Sequence, residues 1–222
     1  MVTWRLLGGV PEDDVRALLA VARRRRFARG EIVFHRDDPA DSLHLIARGH
    51  FALRVMTPVG DTVTIGLRGP GDSFGEMALV AEGGHRSATV EALEEAETFA
   101  VRQPDFDRLR REHPSVNDVL IAFLAGEVRR QNDLLLDAMF LPAELRVLRR
   151  LVELTALYAA DGATTIPLTQ EDLASLAGTS RTTVNQVLRE EQRRGSVRVL
   201  RGHTTVLDVD ALAQHAGATP RS

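Results

Sequence analysis

Residues 168–184 read LTQEDLASLAGTSRTTV. Thr169 followed three positions later by Asp172 is a capping-box-like helix start, with Asp standing in for the usual Glu or Gln. Leu173, Ala174 and Ala177 supply an apolar face at helical spacing, and Gly178 supplies a turn. Ser180 is a second N-cap residue, opening a helix from Arg181 to about Arg194 that turns Val184, Val187 and Leu188 toward the first. Two short helices joined by a Gly-containing turn predict a helix-turn-helix, the simpler alternative being an ordinary packed helix pair. Val197–Val209, turning at Arg201-Gly202-His203, reads as a hairpin wing beside it.

The second helix exposes Arg181, Thr182, Gln186, Arg189 and Arg193, side chains of the kind that hydrogen-bond base edges in a major groove. Charge is distributed accordingly. The 222 residues carry a net charge of −3, yet residues 178–202 hold six Arg against two Glu. Such a local basic patch suits nucleic acid. All 28 basic residues are arginines, so a single Arg carries less information here than usual.

Upstream, the pattern changes twice. A short amphipathic helix is expected over residues 11–25, with Arg23–Arg26 on a solvated edge. The runs Ile32–His35, Ser42–Ile46, Phe51–Met56, Thr62–Leu67, Ala88–Ala92 and Glu97–Val101 alternate with glycine-bearing turns, predicting a β-sandwich or jelly roll. The segment Asp105–Arg111 precedes a long helix entered at Pro114 and ending near Phe140, roughly 40 Å at ~1.5 Å per residue. Its stripe of Val116, Leu120, Phe123, Leu124, Val128, Leu134, Leu135 and Ala138 nearly repeats by sevens. The stripe either pairs with a second copy of the chain or packs on the chain's own sandwich. Gln131 and Asn132 interrupt it, either to set register or to read a ligand. Leu141-Pro142 is the expected hinge, followed by a helix to about Tyr158 and a turn at Asp161-Gly162.

The composition, 44% apolar and 27% charged, is that expected of a folded soluble protein, with no stretch long enough for a membrane helix. No basic-then-apolar leader is read at the N-terminus, and a cytoplasmic location is expected. The absence of cysteine excludes disulfides, iron–sulfur clusters and thiolate zinc, and the seven scattered His give no recognisable haem ligands. An enzyme is disfavoured: no nucleophile–base pair, metal-ligand spacing or P-loop is present, and no metal is expected.

One further stretch carries chemistry. Residues 74–90, FGEMALVAEGGHRSATV, set Glu76 and Arg86 ten positions apart across a short apolar segment and a Gly83-Gly84 turn. Either the two form a structural ion pair, or they are the ends of a pocket.

Together, Phe74–Leu79 with Arg86–Val90, and Leu168–Val184, make the chain resemble the Crp/Fnr superfamily of bacterial transcription regulators from Val10 to Leu212. The resemblance implies an α+β fold: an N-terminal cyclic-nucleotide-binding β jelly roll (1–112), a dimerisation helix and hinge (113–141), and a C-terminal winged helix-turn-helix (142–222). It implies that Arg86 and Ser87 hold a cyclic phosphate, that Glu76 accepts from a ribose 2′-OH, and that the backbone at Gly75, Glu76 and Ala78 adds donors. Met77 belongs to the same cassette and is expected, with Leu79, to point into the core. Gln131 and Asn132 would reach the base. The best-known cAMP-responsive members carry Thr-Ser there; cAMP is the expected effector, with cGMP, an unknown effector or ligand-independent DNA binding as alternatives. Thr169, Ser180, Arg181, Thr182, Gln186 and Arg201 would contact double-stranded DNA at a palindromic operator. Thr182 and Gln186 depart from the Glu and Arg common in the family, so altered inner half-site positions are expected. The resemblance also implies a homodimer and contact with RNA polymerase.

Overall fold

The β-rich half of the chain is ordered by where its apolar side chains can be buried. A computed structural model describes residues 2–58, 60–79, 84–159 and 164–217. These form α1 (Glu12–Val21), β1 (Arg23–Phe27), β2 (Ile32–Phe34), β3 (Ser42–Arg48), β4 (Phe51–Met56), β5 (Thr62–Arg68), β6 (Ser73–Phe74), a 3-10 turn (Glu76–Leu79), β7 (Thr89–Ala92) and β8 (Ala96–Arg102). Then come α2 (Gln103–Glu112), α3 (Ser115–Phe140), α4 (Ala143–Leu157), β9 (Thr164–Ile166), α5 (Gln170–Ala177), α6 (Arg181–Arg194), β10 (Val197–Leu200), β11 (His203–Val206) and α7 (Val209–His215). The chain divides into two compact units, Met1–Val59 with Ile65–Gln131, and Gly60–Thr64 with Asn132–Ser222.

The first unit is built on two four-stranded sheets, ordered β1-β8-β3-β6 and β2-β7-β4-β5. Strand β3 is buried on both faces, which is why its sequence is a near-continuous apolar run rather than an alternation. Leu43 and Leu45 pack with Trp4, Leu18, Phe106, Val116 and Leu120 under the helices, while Ile46 joins Phe27, Phe51, Phe74 and Val90 inside the sandwich. At Gly49 the chain leaves β3 for the other sheet with φ +78°, and a Cβ there would lie 2.6 Å from the Ala96 Cβ and 2.8 Å from the Ala96 Cα. Gly49→Ala therefore combines left-handed strain with a clash against backbone, and is expected to cost at least ~2 kcal/mol. Urea denaturation followed by circular dichroism checks this; a loss below about 0.5 kcal/mol would contradict the geometry.

Helix α1 ends at Val21, and Arg23–Arg26 form an edge strand paired with β8, not the last turn of a helix. Charged residues on an edge strand carry no apolar alternation to read, and they discourage strand addition by other chains. Strands β6 and β9 and helix α7 were not expected either. The stripe on α3 divides in two: Val116 and Leu120 are buried in the unit's own core, with Phe123 and Leu124 partly buried against it. Ile121, Val128 and Leu135, seven residues apart, are more than half exposed, as are Met139 and Phe140. Gly83 and the Asp161-Gly162 turn lie outside the described residues.

In the second unit, α4, α5 and α6 surround Leu151, Leu173, Val184 and Leu188, all buried. The wing is three-stranded, with order β10-β11-β9. Thr169 closes a full capping box with Asp172, Gly178 ends α5 in the left-handed conformation, and the Ser180 side chain accepts from the Thr183 N–H.

Candidate functional site

The first cavity forms where β6 meets the 3-10 turn. Gly75, Glu76, Met77, Arg86 and Ser87 all line it, together with Phe34, Leu53, Phe74 and Val90. Ala78 lies in the same 3-10 turn. Met77 is 43% exposed, so the expectation that it points into the core is wrong; Leu79 does so. A short 3-10 turn has a narrow buried side, and its second residue faces out over the cavity. Gln131 and Asn132 are exposed on α3 and are not among the lining residues.

Arg86 is buried, with its guanidinium 4.0 Å above the Phe34 ring. One terminal nitrogen donates to the Ser42 carbonyl at 2.7 Å; the other donates to the Ser42 hydroxyl at 3.1 Å and the Asp41 carboxylate at 3.2 Å. Its Nε is buried with no hydrogen-bond partner among the described residues. Burial lowers the Arg86 pKa, opposed by Asp41, Asp38 and Glu76. Its carboxylate partner in the structure is Asp41, 45 positions away, rather than Glu76. Gly75 has φ +82°, and a Cβ there would stand 2.6 Å from an Arg86 terminal nitrogen. The cradle thus depends on glycine. Glu76 has its pKa raised by burial, with the Arg68 and Arg86 charges opposing the rise. Arg68 is itself buried and pairs with Glu127 of α3 at 2.5 Å. Sequence reasoning missed Asp41, Arg68 and Glu127, because no local spacing marks a pair that forms only across the fold.

The geometry fits an anion with hydroxyl neighbours. A buried guanidinium with a free N–H, a serine hydroxyl, a carboxylate and a glycine without Cβ lie within one wall. The cavity is about 30 Å³, roughly a tenth of the smallest usual ligand pockets.

His44 lies behind this wall, stacked on Phe74 at 4.9 Å and bonded through Nδ1 to the Thr98 hydroxyl at 3.0 Å. Burial, and then the charges of Arg86 and Arg25, lower its pKa from 6.5 to about 3. The folded chain therefore keeps His44 neutral while the unfolded chain protonates it near 6.5. Its contribution to stability is complete above pH 6.5 and declines as the pH falls from there toward 3. The slope approaches ~1.4 kcal/mol per pH unit. Between pH 7.5 and pH 5, wild type is expected to lose about 2 kcal/mol more unfolding free energy than His44→Gln. Equal pH dependence of the two proteins in urea titrations would refute it.

The second surface is carried by α6. Arg181, Thr182, Gln186, Arg189 and Arg193 are exposed along it, and Arg201 is exposed at the wing turn. Thr169 and Ser180 spend their hydroxyls on helix caps. Asn185 Nδ2 donates to Gln170 Oε1 at 3.1 Å, fixing α6 on α5. At the far end Glu191 is buried, accepting from the Ser196 hydroxyl at 2.6 Å and pairing with His215 of α7 at 2.8 Å and Arg194 at 3.1 Å. Among the described residues no cluster of His, Asp and Glu is placed to hold a metal ion, and no helix is long and apolar enough to cross a membrane.

In chain order, a β-roll with a guanidinium-lined cavity is followed by a winged helix-turn-helix. Residues 24–113 match the cyclic nucleotide-binding domain family and residues 145–215 the Crp-like helix-turn-helix domain family. The cyclic AMP receptor protein of Thermus thermophilus is 36% identical over 215 residues, covering 95% of this chain and 96% of that protein. The CRP-like cAMP-activated global transcriptional regulator of Mycobacterium tuberculosis is 31% identical over 215 residues, 94% of each chain. FixK2 of Bradyrhizobium japonicum shares the fold, with TM-score 0.78 and 21% identity over 91% of this chain and 100% of that one. The chain belongs to the Crp/Fnr superfamily of transcription regulators.

Proposed function

We propose that the protein is a cytoplasmic homodimer that binds a palindromic DNA operator under the control of a cyclic nucleotide, with cAMP as effector. The observation that carries this reading is Arg86: a buried guanidinium at a cavity wall, with an unpartnered Nε beside Ser87, Glu76 and a glycine that clears its space. A planar fork gives a cyclic phosphate charge-assisted, bidentate contact, and Ser87 adds a hydroxyl donor. Glu76 would accept from the ribose 2′-OH, selecting ribonucleotides. The two relatives named for cAMP match nearly the whole chain, which supports that effector.

The dimer is supported by the exposed apolar positions Ile121, Val128 and Leu135 of α3, spaced as a heptad seam requires. Gln131 and Asn132 on the same helix would meet the base, so that occupancy biases α3, the hinge and then α6. The division into 1–112, 113–141 and 142–222 follows from these roles. In the DNA, Arg181 would address guanine bidentately, with Thr182 and Gln186 reading altered inner half-site positions. Arg201 would reach the backbone from the wing, and Thr169 and Ser180 would present their capped helix N-termini to phosphates. Family membership supports RNA polymerase as a further partner.

A second reading, a regulator that needs no nucleotide, draws on the small cavity and on the Arg86 hydrogen bonds to Asp41 and Ser42. Calorimetric titration with cAMP and cGMP separates the two. Saturable binding supports nucleotide control and names the base, whereas flat titrations with both favour the second reading.

A further inference from the structure

The residue that follows α3 is tied to the end of α5 by a side chain of α4. Arg146, in the first turn of α4, donates from Nε to the Ala177 carbonyl, from one terminal nitrogen to the Gly178 carbonyl and from the other to the Leu141 carbonyl, each at 2.9 Å. Leu141 directly follows α3, while Ala177 and Gly178 are the last residue and the C-cap of α5. Helix C-termini leave carbonyls without intrahelical partners and carry partial negative charge. The Gly178 and Thr179 N–H groups cap the Ala174 and Ser175 carbonyls, and Arg146 takes up the Ala177 carbonyl. A guanidinium has donors on three nitrogens in one rigid plane, so it can hold three acceptors in fixed relation, which an ammonium cannot. The α3 side of the joint is held separately, by Asp137 with Arg149 at 2.6 Å and Arg150 at 3.4 Å.

We propose that Arg146 is the positioning residue that locks the end of α3, the hinge and the helix-turn-helix turn into one rigid piece. A change in the direction of α3 is then delivered to α6 instead of being absorbed at Leu141-Pro142. As a device for ligand control this rests on the function proposed above; as a mechanical lock it does not.

The test uses the full chain with Arg146→Ala and Arg146→Lys, the second keeping the charge but not the fork. Hydrogen exchange reads the lock without ligand or DNA. Segments 137–146 and 174–181 are expected to exchange at least about ten-fold faster in both variants, with 197–206 unchanged. In parallel, nucleotide affinity is expected to stay at the wild-type value while the ratio of operator affinities with and without cAMP falls toward one. Unchanged exchange in Arg146→Lys would overturn the lock. Faster exchange with a wild-type ratio would overturn its role in transmission. A wild-type protein showing no cAMP effect would remove the ligand reading and leave the exchange result to decide the lock; if Arg146→Ala does not fold, Arg146→Lys carries the test.

Discussion

Arg86→Ala is expected to weaken cAMP binding by about 2–5 kcal/mol, from roughly 30-fold to several thousand-fold, the range for truncating one side of a buried, hydrogen-bonded charge pair. Among the described residues lining the cavity Arg86 is the one cation, so the rest of that wall would offer the phosphate only hydroxyl and backbone donors. The variant also leaves the Ser42 carbonyl without its guanidinium donor and uncovers the Phe34 ring, so some loss of stability accompanies it. Arg86→Lys separates the two effects. It retains charge but cannot donate to Ser42 and to a phosphate in one plane, and it is expected to fall between alanine and wild type. Calorimetry on both variants, each with a thermal melt to verify folding, decides the matter. Wild-type affinity in a folded Arg86→Ala protein would sink the phosphate assignment.

Arg181→Ala is the corresponding test on the DNA surface. The guanidinium is exposed near the start of α6, where a major-groove helix presents its first residues to base edges. A bidentate arginine–guanine contact is worth ~1–3 kcal/mol of discrimination. A dimer on a palindrome makes it twice, so the selected operator should lose about 2–6 kcal/mol. A scrambled duplex should lose far less. Anisotropy titrations on both duplexes across several salt concentrations give the answer. An equal loss on both, with the salt slope reduced, would mean that Arg181 contacts phosphates and reads no sequence.

The parts of the molecule legible in the sequence are those whose cause is local. Thr169 caps Asp172 three residues on, Ser180 caps Thr183, and Gly178 ends its helix with positive φ. Each of these interactions closes within one helical turn, so α5 and α6 could be placed nearly to the residue. The cassette from Gly75 to Ser87 was legible for another reason. Its residues were read through resemblance to a family motif, and the structure brings Gly75, Glu76 and Arg86 to one cavity, with Arg86 in the segment just before β7.

Long-range closure was not legible. Nothing near Arg86 points to Asp41, nothing near Arg68 to Glu127, and nothing near Glu191 to His215, because each pair is joined only when distant elements pack. Strand β1 was hidden because its partner β8, more than seventy residues later, supplies the ladder that four arginines give no pattern for. The apolar spacing of α3 was readable as spacing alone. Which positions serve the chain's own core and which remain exposed depends on what lies beside the helix: Val116 and Leu120 meet Leu43 and Leu45, while Val128 and Leu135 meet no comparable wall. Periodicity thus determined which residues share a face of the helix, and packing alone decided what that face is for, since burial is a property of neighbours and not of the residue itself.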